Sequence, residues 1–83
     1  AEAREWYVRA VEANPYAVAA WINWGVVEGK RGAWAESERL LRQALAVRPE
    51  SIQARANLVT CLDGQGRHTE ANALRDGQGS PKP

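Results

Sequence analysis

The sequence predicts an all-α fold of stacked antiparallel helix pairs, because the chain repeats itself with a period of about 34 residues. A helix-ending proline recurs at Pro15 and Pro49, and a turn glycine recurs at Gly32 and Gly66. Further matched positions are Ala10 with Ala44, Val11 with Leu45, Asn23 with Asn57, Trp6 with Leu40 and Leu74, and Glu2 with Glu36 and Glu70. A period of this length is typical of α-solenoids, in which each unit packs against its neighbours.

Apolar residues at helical spacing predict the individual helices. The five predicted helices are 1–13, 17–30, 34–47, 51–63 and 68–75. Pro15 ends the first because the residue before a proline is disfavoured in the helical region. Gly32 and Gly66 supply the left-handed residue that commonly follows a helix, and Ser51 is a suitable N-cap.

These helices divide the chain into one repeat domain, 1–75, and a tail. Residues 1–15 are predicted to be the second helix of a preceding repeat, 18–51 a full repeat and 52–75 a final, shortened one. The tail, 76–83, is rich in Gly and Pro and lacks apolar anchors, so we expect it to be disordered. About two and a half repeats are fewer than the three usually needed for stability. We therefore expect upstream repeats, or another chain, to cover the exposed end.

Composition and charge argue against several classes of function. Of 83 residues 45% are hydrophobic and 25% charged, as in ordinary globular proteins. A net charge of +1 provides no broad field to attract nucleic acid or an anionic membrane. No apolar run approaches the length of about 20 residues that spans a membrane. The compartment is left open by the sequence, with the cytoplasm slightly favoured.

The sequence also gives little support for catalysis or for a cofactor. The single cysteine, Cys61, allows no internal disulfide, and we expect it to pack as a small core residue rather than to act as a reactive or metal-binding thiol. His68, the single histidine, lies where the turn after Gly66 meets the start of the fifth helix, and no Ser or Cys nucleophile is placed beside it by the sequence. Zinc would need several Cys or His ligands, so we predict neither a metal site, a cofactor nor an enzyme.

The middle unit carries a recognisable pattern of residues. It reads Trp21-x2-Trp24-Gly25-x2-Glu28, then Ser37-x3-Leu41, then Pro49. This arrangement resembles the tetratricopeptide repeat, a unit of about 34 residues with the pattern W-x2-L-G-x2-Y, A-x3-F and P. The resemblance covers about residues 1–75. It implies a right-handed α-solenoid that binds proteins and does not transform substrates.

Glu28 departs from that pattern, because the family usually has a bulky apolar residue there. Two spaced aromatics followed by an acidic residue, here Trp21, Trp24 and Glu28, also resemble the half-a-TPR repeat of RNA-processing scaffolds. The last unit, with Arg55 and Leu58, does not keep this pattern. The fold would be nearly the same, but the chain would then be a component of an RNA-processing or RNA-associated complex.

The resemblance implies that the first helix of each unit lines a concave groove that binds a partner segment. The predicted partner-binding residues on this face are Ile22, Asn23, Val26, Lys30, Gln53, Asn57 and Thr60. Superhelical members of the family clamp a peptide backbone with an asparagine ladder, and Asn23 and Asn57 match it. An alternative is that Asn is simply common at these positions. The chaperone-binding branch is not expected, because Gln53 and Asn57 replace its Lys and Arg.

The helical ends are the other predicted binding surface. Without an upstream partner helix, Trp6, Tyr7 and Val11 would lack a full covering layer, and large exposed apolar patches usually mark interfaces. We therefore predict that these three residues form an end interface with further repeats or another subunit. Direct nucleic-acid binding is not expected, because the arginines of the third helix alternate with glutamates.

Overall fold

The predicted all-α class is confirmed by the structure, a computed structural model that describes residues 2–77. Its helices are α1 (Glu2–Ala13), α2 (Val18–Lys30), α3 (Trp34–Val47), α4 (Ile52–Gly64) and α5 (His68–Gly77). No strand occurs within this range. The first four helices agree with the predicted bounds to within one residue. α5 continues into the predicted tail as far as Gly77, and residues 78–83 lie outside the described part of the chain.

Each helix packs against the next along the chain, and α2 also contacts α4. α3 therefore packs against both α2 and α4, which lie side by side. This is the arrangement of stacked helix pairs: α2 with α3, then α4 with α5, preceded by α1 alone. About two and a half repeats are present, as the sequence predicts.

The turns that close the two pairs are built in the same way. Gly32 and Gly66 have φ angles of 84° and 79°, in the left-handed region that glycine adopts without a Cβ clash. The amide that follows each glycine donates back across the turn, from Ala33 N to the carbonyl of Glu28 and from Arg67 N to that of Leu62, each at 2.9 Å. The two turns, which lie one repeat apart in the sequence, therefore share the same backbone hydrogen bond.

The helix-ending prolines also repeat a contact, although the donors differ in chemistry. The indole Nε1 of Trp21 donates to the Pro15 carbonyl at 2.8 Å. Nη2 of Arg55, at the equivalent position of the next repeat, donates to the Pro49 carbonyl at 3.1 Å. Each donor therefore ties the first helix of its pair to the end of the preceding helix.

The close approach of α2 and α3 depends on small residues. A Cβ added at Gly25 would lie 2.8 Å from Cγ of Leu41, so a larger residue there would force the helices apart. The buried hydroxyl of Ser37 donates to the Gly25 carbonyl at 2.7 Å. The small size of Gly25 and Ser37 therefore lets α2 and α3 approach closely.

Two apolar clusters form the core. The larger joins the two helix pairs through the buried residues Ile22, Leu41, Ala44, Ala54, Leu58, Cys61, Leu62 and Ala71. The smaller joins α1 to the first pair through Val11, Trp24 and Leu40. The ring of Trp24 stacks on that of Trp21, with centroids 6.0 Å apart, and Trp21 packs against both clusters. Core packing therefore runs continuously from α1 to α5.

Candidate functional site

The α2/α4 groove is the open channel between these two helices, with α3 behind it. It contains a pocket of about 220 Å³. Four of the predicted partner-binding residues line this pocket together: Val26, Lys30, Asn57 and Thr60. The other lining residues are Gly29, Trp34, Ser37, Leu41 and Cys61. The predicted binding residues in the C-terminal half of α2 therefore lie next to those of α4.

The pocket has an apolar wall and a polar rim. Leu41 and Cys61 are buried, and Val26 and Trp34 are partly buried. Lys30 and Thr60 are exposed, while Asn57 is half-buried between them. An apolar depression with a few polar groups at its edge is the usual form of a binding site on a protein surface.

Trp34 closes one end of the pocket by bridging the ends of two helices. A Cβ placed on Gly64 would lie 2.8 Å from Cζ2 of this ring, and one placed on Gly29 would lie 3.5 Å from Cζ3. Sγ of Cys61 donates to the Trp34 carbonyl at 3.1 Å. Burial raises the pKa of the Cys61 thiol, which therefore stays neutral and belongs to the apolar wall. The expectation that Cys61 is a core residue is confirmed.

The remaining three predicted residues of this face lie outside the pocket. Asn23 and Gln53 are exposed on α2 and α4 but do not line it. The placement of Ile22 on the open surface is wrong, because this side chain is 4% exposed and packs in the larger core cluster. α4 crosses α2 close enough to cover Ile22, and a helical stripe counted from the sequence does not show where the neighbouring helix will lie.

The amides of Asn23 and Asn57 remain available for a partner. They take part in none of the side-chain hydrogen bonds within residues 2–77. The Thr60 hydroxyl, by contrast, donates to the Ala56 carbonyl one turn earlier at 3.2 Å. An amide both donates and accepts, so each asparagine can bond a peptide backbone.

The three residues predicted for the end interface differ in exposure. Trp6 is 70% exposed and, with Arg9 and Ala10, lines an open pocket of about 270 Å³ on α1. Tyr7 is half-buried and meets Trp6 edge to face. The prediction that Val11 belongs to this exposed surface is wrong. Its side chain is 7% exposed because it packs against Trp24 and Leu40 in the smaller core cluster.

An ion pair between the half-exposed Arg4 and the buried Glu28 connects α1 to α2. Glu28 is 1% exposed, and its carboxylate accepts hydrogen bonds from Nε of Arg4 at 3.2 Å and from Nε1 of Trp24 at 3.3 Å. The hydrogen bond from Arg4 lowers the pKa of Glu28 and outweighs burial, which raises it. Glu28, the residue that departs from the tetratricopeptide pattern, is therefore a structural anion with two partners.

The structure also has an uncovered surface at its C-terminal end that the prediction missed. Ile52 is 73% exposed and, with Arg55, Ala56, Val59 and Arg75, lines a pocket of about 190 Å³. Ala56 is the equivalent, in the following repeat, of Ile22, which α4 covers. This surface could have been predicted from the sequence. The residues of α4 that are equivalent to the buried residues of α2 are the ones that a following helix would cover.

Several ion pairs lie on α3 and at the turn that leads into α5. Arg39 pairs with Glu36 at 2.6 Å and Arg42 with Glu38 at 2.9 Å. Arg67 bridges Glu38 at 2.6 Å and Glu70 at 2.7 Å. Arg39 and Arg42, which alternate with glutamates along α3, are therefore paired with them.

Comparison with known families agrees with this architecture. The tetratricopeptide repeat model matches residues 30–76, which is more than half of the chain. The chain belongs to the tetratricopeptide repeat family. Tetratricopeptide repeats are protein–protein interaction modules and are typically non-catalytic scaffolds. No curated protein matches the chain.

Two further observations concern sites of other kinds. Within residues 2–77 no group of three or more His, Cys, Asp or Glu side chains is placed to hold a metal ion. In the same part of the chain, none of the helices combines the length and the apolar character that crossing a membrane requires.

Proposed function

We propose that this tetratricopeptide repeat protein binds an extended segment of a partner protein in the α2/α4 groove. The observation that carries the proposal is the pocket of about 220 Å³, in which Val26 and Lys30 of one repeat face Asn57 and Thr60 of the next. Because the site is made by two repeats, it exists only in the folded stack.

The polar groups support binding of a peptide backbone. Asn23 and Asn57 occupy equivalent positions in successive repeats, with amides that the chain's own side-chain hydrogen bonds leave unused. An extended strand presents a carbonyl or an amide every few ångströms, so a pair of asparagines can bond it at two points. A hydrogen bond of this kind contributes about 0.5–1.5 kcal/mol net.

Selection from a random-peptide display library on the immobilised chain tests this proposal. Enriched peptides are then measured by fluorescence polarisation against Asn57→Ala, with Asn72→Ala, on exposed α5, as the matched control. We expect Asn57→Ala to weaken binding about fivefold, which corresponds to one lost hydrogen bond. Asn72→Ala is expected to leave the affinity within a factor of two. No enrichment, or peptides indifferent to Asn57→Ala, would contradict the proposal.

A second mode of binding, through the N-terminal end, is favoured by the exposure of Trp6. This ring is the largest exposed apolar group of α1, and it stands beside an open pocket. Changing Trp6 and Tyr7 together to Ser is expected to weaken association with further repeats or a subunit more than it weakens the fold. Sedimentation velocity on the chain and the variant tests this. A monomer at all concentrations, unchanged by the substitutions, would contradict it.

The RNA-associated alternative receives no such support from the described surface. Arg39, Arg42 and Arg67 are each paired with a carboxylate, so they present little uncompensated positive charge to phosphates. RNA binding that falls steeply with salt concentration would favour that alternative.

A further inference from the structure

The pocket in the α2/α4 groove has the volume and the walls to receive one apolar side chain. Engineered apolar cavities of about 150 Å³ take up a benzene molecule. The present pocket is about 220 Å³, and its lining includes the apolar side chains of Leu41, Cys61, Val26 and Trp34. A branched aliphatic side chain of leucine size fits both the space and the lining.

The rim selects for a negative charge next to that side chain. Lys30 is exposed at the edge of the pocket and takes part in none of the ion pairs within residues 2–77. The carboxylate nearest to it along the chain, Glu28, is buried and bonded to Arg4. The ammonium group of Lys30 is therefore free to pair with an anion on the partner.

We propose that the pocket binds a leucine-like side chain of the partner segment, with a carboxylate close to that side chain paired with Lys30. This inference rests on the proposed function and adds the chemistry of the residue that is recognised. Asn57, beside the pocket, would bond the backbone of the same residue. The partner segment is thus an acidic, aliphatic peptide.

The probe for this proposal is 4-methylpentanoate, which joins a leucine-like branch to a carboxylate. It is titrated into the ¹⁵N-labelled chain and followed by ¹H–¹⁵N correlation spectra. We expect saturable shifts at the Trp34 indole and at the amides of Val26, Asn57 and Thr60, with millimolar affinity. The neutral 4-methylpentanamide is expected to bind at least threefold more weakly.

Two matched pairs of variants locate the effect. Thr60→Phe places a ring over the rim and is expected to abolish the shifts, whereas Thr69→Phe, at an exposed position of α5, preserves them. Lys30→Gln is expected to reduce the affinity for 4-methylpentanoate to that for the amide, whereas Arg31→Gln leaves it unchanged. The spectra themselves report whether each variant is folded, and Lys30→Gln tests the charge without filling the pocket.

Several outcomes would overturn the inference. These are the absence of saturable shifts, equal affinity for acid and amide, or binding that survives Thr60→Phe. If 4-methylpentanoate fails while selected peptides still bind in an Asn57-dependent manner, the side-chain assignment is wrong and the proposed function stands. If the selected peptides are also indifferent to Asn57, both are wrong.

Discussion

The junction between α1 and α2 and the junction between α3 and α4 are equivalent by the displacement of one repeat, but their charges are arranged differently. Arg4 of α1 reaches the buried Glu28 of α2. The equivalent of Arg4 is Glu38, and the equivalent of Glu28 is Leu62, which is also fully buried. Glu38 instead bonds Arg67 at 2.6 Å and Gln65 at 3.1 Å, beyond the end of α4.

The repeat therefore determines where a residue lies in the fold, and the adjacent helix determines which side chain is stable at that position. The same buried position accepts a carboxylate where the adjacent helix supplies a guanidinium, and a leucine where it does not. Burying a charge without a partner would cost several kcal/mol, so Glu28 depends on α1 in a way that Leu62 does not depend on α3. The first junction should therefore be sensitive to loss of its ion pair.

The largest expected effect comes from the aromatic residue of the first junction. Trp24→Ala removes a buried ring and a donor to Glu28, and it should lower the free energy of unfolding by about 3–5 kcal/mol. The equivalent change Leu58→Ala should cost about 2–5 kcal/mol. Urea denaturation measures both. Trp6→Ala, at an exposed ring, is the control and should stay within about 0.5 kcal/mol. A Trp24→Ala chain as stable as this control would break the assignment of the core.

Removing Arg4 should have the next largest effect. Arg4→Ala leaves Glu28 buried with Trp24 as its remaining donor, so the free energy of unfolding should fall, by less than for a fully buried pair because Arg4 is half exposed. The double variant Arg4→Ala with Glu28→Leu has a leucine at the buried position, as the second junction has. It should recover most of this loss. A double-mutant cycle in urea measures the coupling. Strictly additive losses would show that the ion pair does not hold this junction.

The two turns, in contrast to the two junctions, should respond alike. A Cβ at Gly32 or Gly66 would meet no atom within 4 Å, so the cost of Gly→Ala comes from the left-handed φ alone. Each substitution should lower stability by about 1–2 kcal/mol. Thermal melts of the two single variants test this. A difference between them larger than about 1 kcal/mol would show that the turns are not equivalent.

The last prediction concerns how the stability of the second junction responds to acid. Burial raises the pKa of Glu38, but hydrogen bonds from Arg67, Gln65 and Arg42 outweigh it and lower this pKa from 4.5 to about 2. The folded chain therefore binds fewer protons than the unfolded chain between these values, and stability should fall as the pH drops from about 4.5 to about 2.

Replacing the carboxylate should flatten this pH dependence. Glu38→Gln removes the titrating group, so its free energy of unfolding should vary less between pH 4.5 and pH 2 than that of the parent chain. Glu50→Gln, at an exposed position, is the matched control. Equal slopes for the parent and Glu38→Gln in acid titrations would mean that the network around Glu38 does not stabilise the fold.

The sequence predicted most of the fold because its signals are local and occur in the same phase. Pro15 and Pro49, with Gly32 and Gly66, mark the ends of helices by their backbone restrictions, and these act without knowledge of tertiary structure. The helix bounds followed from the same residues.

The site was predicted less well, since it depends on how helices cross. Val26, Lys30, Asn57 and Thr60 meet at one pocket, but Ile22 and Val11 of the predicted surfaces are buried by α4 and by the α1 packing. Cys61 is correctly predicted as a core residue, but its sequence position does not show that it also lines the pocket beside Trp34. The Arg4–Glu28 pair joins residues 24 apart, a separation that no helical period indicates.

Two affinities decide whether a partner segment binds in the α2/α4 groove. A peptide selected on the parent chain is titrated against Thr60→Phe, which obstructs the groove, and Thr69→Phe, which places the same ring on exposed α5. If the peptide lies in the groove, Thr60→Phe should lower its affinity at least tenfold, and Thr69→Phe should change it by less than twofold. Equal affinities of the two folded variants would contradict it.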